Sequence, residues 1–489
     1  MIYIKRARQD IDKKYVGFNI SGAKIKPVHI AGGSQRCIYG SYNKSQCIKQ
    51  LALVRGKKYT PEGNDTETVY NDLLVRNKID KEISVSSFES MRMLMQNMLD
   101  ADNGVFIDKK LNQSATSYSA GSKYFLASKP RYEDAGEFIG GIIHSYCPDL
   151  ANYISEILKN ANDPISLLFK PVWDWDPEMV SNQSLHEDIP AFKNPNKYMQ
   201  WYLNGIMESG SDLLDNFKHH TNSLTQLRLF NLFCIFHLIR YLMMLSAFYC
   251  GESVHPILLD FSEESPSKSS IANASAMSYA QISRSITRFY SWGYADWLVE
   301  NGYDKESLLN SKTPVYDVTK NEKPSKYEVE YNDMWNRAKD KARDKQEQDA
   351  LQVFGDTLYD MLALEAEFNP VKYLRSLGIS AGILYPPNKS KQRFVVSQDV
   401  LEMLIRSCVG YKETISGSEI RVRLWDRFGV IVGRSDFESD EFHLDRMIQI
   451  DEDSLEENFS DFTSKLESMD FAEVMADGIL QIHLGGTNQ

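Results

Sequence analysis

The chain has only six cysteines, Cys37, Cys47, Cys147, Cys234, Cys250 and Cys408, and none stands in a Cys-x-x-Cys pair. Zinc ribbons and thioredoxin-type redox chemistry therefore lack support, and so sparse a usage fits a reducing cytoplasm. No Gly-x-x-x-x-Gly-Lys-Ser/Thr occurs, which removes the P-loop as a source of nucleotide chemistry. Met1 to Arg8 is basic but has no apolar h-region behind it, so secretion is not expected. There is no second long apolar run to make a membrane bundle. With 42% hydrophobic and 25% charged residues over 489 positions, the composition is that of an ordinary globular protein of several domains.

What is present is one apolar run, Leu224 to Cys250. From Leu229 onward only Asn231, His237, Arg240 and Ser246 are strongly polar, and at 100° per residue they share no face. A helix apolar nearly all round is buried in a core or spans a membrane. Arg240 sits near its middle, where a charge costs about 2.5–3.5 kcal/mol on insertion scales. A buried core helix is the expectation, capped at its start by Asn222 or Ser223 and stopped at Gly251. His237 and Arg240, three apart, are neighbours on that helix and read as polar groups satisfied inside the core.

The net charge of −12 hides a polarity. Residues 1–60 carry 13 Lys or Arg against 2 Asp or Glu, a net of +11, and residues 436–477 carry 2 against 15, a net of −13. The basic end suits nucleic acid or an acidic protein surface, and the acidic end repels DNA.

In chain order, Tyr3-Ile4 and Tyr15 to Ile20 read as short strands, and Gly32-Gly33-Ser34-Gln35-Arg36 as a tight turn in a basic loop. Ser86 to Asp100 is an amphipathic helix, and Glu133 to Asn160 is helical with a break at Tyr146-Cys147-Pro148. Phe169 to Asp188 contains Asp174, Asp176, His186, Glu187 and Asp188, without the spacing of a known metal loop; no metal and no cofactor is expected there. Tyr198 to Phe217 is helical. Pro256 to Phe261 reads as a buried strand with Asp260 at its end, and Tyr279 to Glu300 as a helix. Residues 304–326 suggest a linker and Tyr331 to Phe368 one long helix, charged in its first half. Asp260 with Glu263 and Glu264 is the one set that would serve a metal-dependent nuclease, an alternative to a non-catalytic role.

The C-terminal stretch has the clearest grammar. Two strands flank Pro386 to Gln392. Ser397 starts a helix, and Ser416 with Glu419 forms a capping box for a second helix ending at Gly429, followed by Val430-Ile431-Val432. That order is compatible with a winged helix-turn-helix. Arg421, Arg423 and Arg427 on the second helix, Arg434 beyond it, and Lys389, Lys391 and Arg393 on the hairpin form a candidate phosphate-contacting set, and such a module also serves protein contacts.

Ile383-Leu384-Tyr385-Pro386, Leu401-Glu402-Met403-Leu404-Ile405 and Leu424-Trp425-Asp426-Arg427-Phe428-Gly429-Val430-Ile431-Val432-Gly433 resemble the tail of accessory, non-ATPase proteins of bacterial antiphage defence systems. Pro256 to Phe261, with the Ser- and Tyr-rich helix after it, resembles the same group. Those proteins are encoded beside HerA-like ATPases and DNA-modification genes. The resemblance covers about a fifth of the chain and carries no catalytic residue. It implies a cytoplasmic, non-catalytic subunit with protein partners, DNA as a further partner, and no membrane.

The expected fold is α+β and predominantly helical, with a buried central helix, short strands and a winged-helix-like C-terminal module. The expected regions are a basic α+β region (1–130), a helical core (131–303), a linker and charged helix (304–369), and the module with its acidic end (370–489).

Overall fold

The structure, a computed structural model, describes residues 1–20, 25–44, 65–101, 121–126, 134–180, 186–219, 222–262, 268–317, 327–365, 369–386, 391–434, 450–476 and 479–484. Among them the fold is predominantly helical with short strands. Helices of eight or more residues are α1 (Ile4–Ile11), α2 (Pro27–Tyr39), α3 (Thr66–Val75), α4 (Val85–Ala101), α5 (Asp134–Tyr146), α6 (Pro148–Asn160), α7 (Lys197–His219), α8 (Ser223–Tyr249), α9 (Ser270–Glu300), α10 (Glu328–Ala342), α11 (Glu347–Leu364), α12 (Pro370–Ser380), α13 (Gln398–Arg406), α14 (Gly417–Phe428) and α15 (Glu452–Glu467). The strands are β1 (Ser41–Asn43), β2 (Pro177–Met179), β3 (Ile257–Leu258), β4 (Leu384–Tyr385), β5 (Arg393–Phe394), β6 (Thr414–Ser416), β7 (Val430–Ile431), β8 (Ala472–Val474) and β9 (Leu480–His483).

The apolar run forms α8, and the rest is built on it. The Asn222 side chain accepts from the N–H groups of Leu224 and Thr225, and Gly251 takes the left-handed conformation, φ +68°, just past the last turn. The helix touches α2, α5, α7, α9, α12, α13 and α14. Large side chains on every side of it, Phe230, Phe233, Phe236 and Tyr241 among them, are buried. Each such burial stabilises the fold by roughly 1.5–3 kcal/mol. This helix is long and apolar enough to cross a membrane, but 89% of its apolar 18-residue stretch is buried inside the fold.

One core runs from Ile2 to Leu484 and draws on all four regions of the chain. A smaller core lies where α3 and α4 meet Phe125 and Phe169, around Val69, Leu73 and Phe88. The charged α10 and the amphipathic α11 pack on each other, and α11 lies along α9, so residues 328–364 are part of the core body.

Three local expectations change. Tyr3-Ile4 and Tyr15 to Ile20 are not strands: Ile4–Ile11 is α1, continued by a wider π-helical turn over Asp12–Val16, and Tyr3 makes only a single bridge to Val315. The reason is visible in Ile4, Ala7, Arg8 and Ile11, which bury one helical face. Gly32 and Gly33 lie within α2, not in a turn. The long helix from Tyr331 is two helices, broken at residues 343–346.

The strands tie distant parts together. β3 pairs in parallel with β7, and Leu259 bridges Phe394 of β5, which pairs antiparallel with β4. The order is thus β7, β3, β5, β4, with a segment from the helical region seated between strands of the C-terminal stretch. β9 is the middle strand of a separate sheet, antiparallel to β6 on one side and to β8 on the other.

Candidate functional site

The candidate residues gather on α14, β3 and β5, but they do not form the surface expected of them. Asp260 lies at the end of β3 with its residue 2% exposed. Its carboxylate meets the Arg393 guanidinium at 2.6 Å, an ion pair rather than an aligned hydrogen bond. The other carboxylate oxygen accepts from the Ser262 N–H at 2.9 Å and hydroxyl at 2.7 Å. Arg393 is itself 4% exposed. The expectation that Arg393 contacts phosphate therefore gives way to an internal pairing, because a guanidinium inside the fold cannot reach a duplex. The nuclease alternative centred on Asp260 meets the same geometry, since a metal would have to displace that guanidinium. Glu263, Glu264 and Lys389 lie outside the described residues. No group of three or more potential metal ligands occurs among the described residues.

The arginines of α14 are also committed to the chain's own acids. Arg427 is 8% exposed, donates to Asp212 of α7 at 2.5 Å and to the Ser407 carbonyl at 2.8 Å. Burial opposes its charge, but the neighbouring Cys408 and Asp212 offset that and hold its pKa above the ordinary value. Arg423 donates to both oxygens of Glu413, at 2.8 and 2.7 Å, and to Glu419 at 2.6 Å. The hydrogen bond from Arg423 in turn holds the Glu413 carboxyl below the usual range. Arg421 bonds the Arg434 carbonyl and approaches Glu456, and Arg434 pairs with Glu452 at 2.7 Å. The solvent-exposed residues of α14 are Ser418, Glu419, Val422 and Asp426. Of the expected cations only Lys391 is both exposed and without an ion pair among the described residues.

Behind α14 sits the polar pair of α8. Arg240 donates to the carbonyls of Arg427, Asp426 (3.2 Å) and Trp201 (3.4 Å), with its guanidinium 4.3 Å from the Trp201 ring centre. Two of those carbonyls belong to the last turn of α14, the negative end of its dipole. Burial pushes the Arg240 pKa down to about 9, which leaves it charged at pH 7. His237 reaches the Ser209 hydroxyl at 3.2 Å through Nε2, and burial, then Arg240, holds its pKa well below 6.5. Both residues act as internal ties.

Sequence reading missed two residues that shape this region. Asp212 was one. Asn458 of α15 was the other: buried, it donates to the Leu259 (2.9 Å) and Val432 (2.7 Å) carbonyls and accepts from the Phe261 N–H at 2.9 Å. Its signal was a lone amide on the apolar stripe of Leu455, Phe459, Phe462 and Leu466.

No protein-family model matches the chain, and no curated protein is significantly similar to it.

The buried histidines give the fold a pH dependence. Burial lowers His29 to about 4, and lowers His186, His237 and His255 in the same direction. In each case the unfolded chain takes a proton near pH 6.5 while the folded one does not. Stability is therefore full above pH 6.5 and is lost as pH falls toward the folded values. For His29 alone the loss between pH 6.5 and 4 is on the order of 3 kcal/mol. The urea midpoint is expected to fall between pH 7.5 and 5. His29→Asn, which keeps an acceptor for the Lys26 N–H that His29 Nδ1 now binds, should flatten that fall. A midpoint independent of pH would contradict the burial of these rings.

Proposed function

We propose that the chain is a non-catalytic subunit of a multi-protein bacterial antiphage defence or DNA-processing complex, working in the cytoplasm beside a HerA-like ATPase. The observation that carries the emphasis on protein contacts is the state of α14. In a winged helix that reads DNA, the second helix presents cations to the major groove. Here its arginines turn to Asp212, Glu413, Glu419 and Glu456, and its open residues are Ser418, Glu419, Val422 and Asp426. Such a face suits a protein surface better than a phosphate backbone. The C-terminal stretch is then a winged-helix-like interaction module, and the family resemblance supports its place in a defence assembly.

The direct test is purification of the chain from its native host. Co-purification with proteins encoded beside it, an ATPase among them, is the expected result. A chain that elutes alone and binds none of those neighbours would sink the proposal.

DNA remains a partner of second rank, held off by α15. Glu452 and Glu456 pair with Arg434 and Arg421, and surface pairs of this kind contribute little stability. The Glu452→Gln, Glu456→Gln double variant should fold normally, free Arg434 and remove the acid beside Arg421, which keeps its bond to the Arg434 carbonyl. Binding to duplex DNA should then tighten at low salt, and the salt slope should steepen by about one. An isotherm identical to that of the parent chain would show that these arginines do not face DNA at all.

A further inference from the structure

β8 is the outer strand of its sheet, and no described strand pairs with its far side. The register of β8 on β9 fixes which backbone groups face that side. His483 donates its N–H to the Phe471 carbonyl at 3.0 Å and Met475 donates to the Ile479 carbonyl at 2.9 Å. With Glu473 opposite Gln481, residues 471, 473 and 475 turn their N–H and C=O toward β9. In an antiparallel ladder the intervening residues point the other way. Ala472 and Val474 thus direct their N–H and C=O groups away from β9, where no described residue bonds them; Ala472 is buried and Val474 is the exposed one of the two. An edge of this kind is a template for another strand.

The side chains around the edge say what kind of strand. Val474, Met475 and Ile479 are 51%, 40% and 53% exposed, an apolar tip at the far end of β8. Beside it Glu467, Asp470 and Glu473 are exposed, and Lys465 is the only cation among the described residues 450–484. A second copy of the chain is a poor occupant. Pairing β8 with itself about a two-fold axis would set Glu473 opposite Glu473, and like charges directly opposite are destabilising. A strand alternating apolar residues with Lys or Arg meets both features, its apolar side chains beside Val474 and its cations beside Glu473.

We infer that the free edge of β8 docks an extended, basic segment of a partner protein by strand addition. Main-chain hydrogen bonds to the exposed Val474 would anchor the strand, and the alternating side chains would supply specificity. The inference rests on the reading of the chain as a subunit and names the place and chemistry of one of its contacts.

The test uses the full chain and two fluorescein-labelled peptides of equal charge, Val-Lys-Val-Lys-Val-Lys and a Pro-Lys-Pro-Lys-Pro-Lys peptide N-methylated at each lysine amide, with binding read by anisotropy. The first can add as a strand and the second cannot, because neither its prolines nor its N-methylated lysines have a backbone N–H to give on either edge. The valine peptide is expected to bind at least ten-fold more tightly. Val474→Pro removes one outward N–H without touching the bonds to β9, since proline is tolerated on an edge whose N–H faces solvent. It should abolish the preference between the peptides. Glu473→Lys, which leaves the backbone as it is, should weaken the valine peptide at least ten-fold and decides the matter if Val474→Pro does not fold. Equal binding of the two peptides, no binding of either, or a preference unchanged in the folded variants would overturn the inference. A chain that keeps its host partners in both variants would place those contacts elsewhere and overturn the edge while leaving the subunit reading intact. Peptide capture at the edge by a chain that co-purifies with nothing would support the edge and sink the subunit reading.

Discussion

Gly136→Ala should cost the fold about 3 kcal/mol or more, although alanine is the better helix former by about 1 kcal/mol. The reason lies in how α2 and α5 meet. A Cβ on Gly136 would lie 2.5 Å from the Ile30 carbonyl oxygen, 2.8 Å from that of His29 and 2.9 Å from the Gly33 Cα. All three are backbone atoms, so no flexible side-chain end is there to move aside. Gly140, one turn on, stands in the same relation to the Ser34 backbone, with contacts of 2.8 Å to its Cα and oxygen. The two helices therefore touch main chain to main chain. Arg36 and Glu137 form a buried ion pair at 3.0 Å beside the crossing, and α2 also packs on α8. Forcing α2 away would disturb that ion pair and a flank of the central helix together. The measurement is the urea midpoint of Gly136→Ala against the parent chain. Gly251→Ala is the control: it has φ +68° and nothing within 4 Å of a new Cβ, so only the left-handed strain of about 1–2 kcal/mol applies. Equal effects at the two positions would mean that the crossing is looser than described.

That crossing also shows what the sequence could and could not disclose. Helical periodicity is readable at α7 and α13, α8 is marked by its length and apolarity, and the caps at Asn222, Ser397 and Ser416 each form the bond their residue type implies. Those are local signals, carried within a few residues. Gly32 and Gly33 looked like a turn because the helix they approach, around Gly136 and Gly140, is a hundred residues away. Tyr3-Ile4 reads as a strand because its aromatic and β-branched residues outweigh the spacing of Ile4, Ala7 and Ile11. Arg8 blurred that stripe, yet it is buried, paired with Asp12 one turn later.

The surroundings of the candidate arginines are hidden for the same kind of reason. A helical wheel of α14 shows where Arg421, Arg423 and Arg427 leave the helix, but not what covers them. Asp212, which holds Arg427, is 215 residues earlier. An arginine is only a phosphate contact if the fold has not already supplied it with a carboxylate, and long-range pairing is invisible to composition and spacing.

Asp260→Ala is expected to destabilise the chain by about 3–5 kcal/mol, because it would leave the Arg393 guanidinium buried without its counter-charge. The pair closes a seam that the backbone has already drawn. Ile257 and Leu259 donate to the carbonyls of Gly429 and Ile431, at 2.9 and 3.0 Å, and Asp260 donates to that of Phe394 at 2.9 Å. From α9 the Ser275 hydroxyl donates to the Leu258 carbonyl at 2.7 Å and accepts from the Phe394 N–H at 2.9 Å. An uncompensated charge at this point acts on β3, β5 and α9 together. Arg393→Met should be costly too, since it strands the carboxylate. In the Asp260→Ala, Arg393→Met double variant neither charge remains, and replacing both members of a buried pair is often close to neutral. The double variant should therefore be more stable than either single one, with a coupling of about 1–3 kcal/mol in a double-mutant cycle read by urea denaturation. A metal-dependent nuclease centred on Asp260 gives the opposite pattern: Asp260→Ala would melt with the parent chain and lose Mg²⁺-dependent nicking of plasmid. The choice between a structural seam and a catalytic acid thus rests on two readouts from one variant, and the burial of both charges favours the seam.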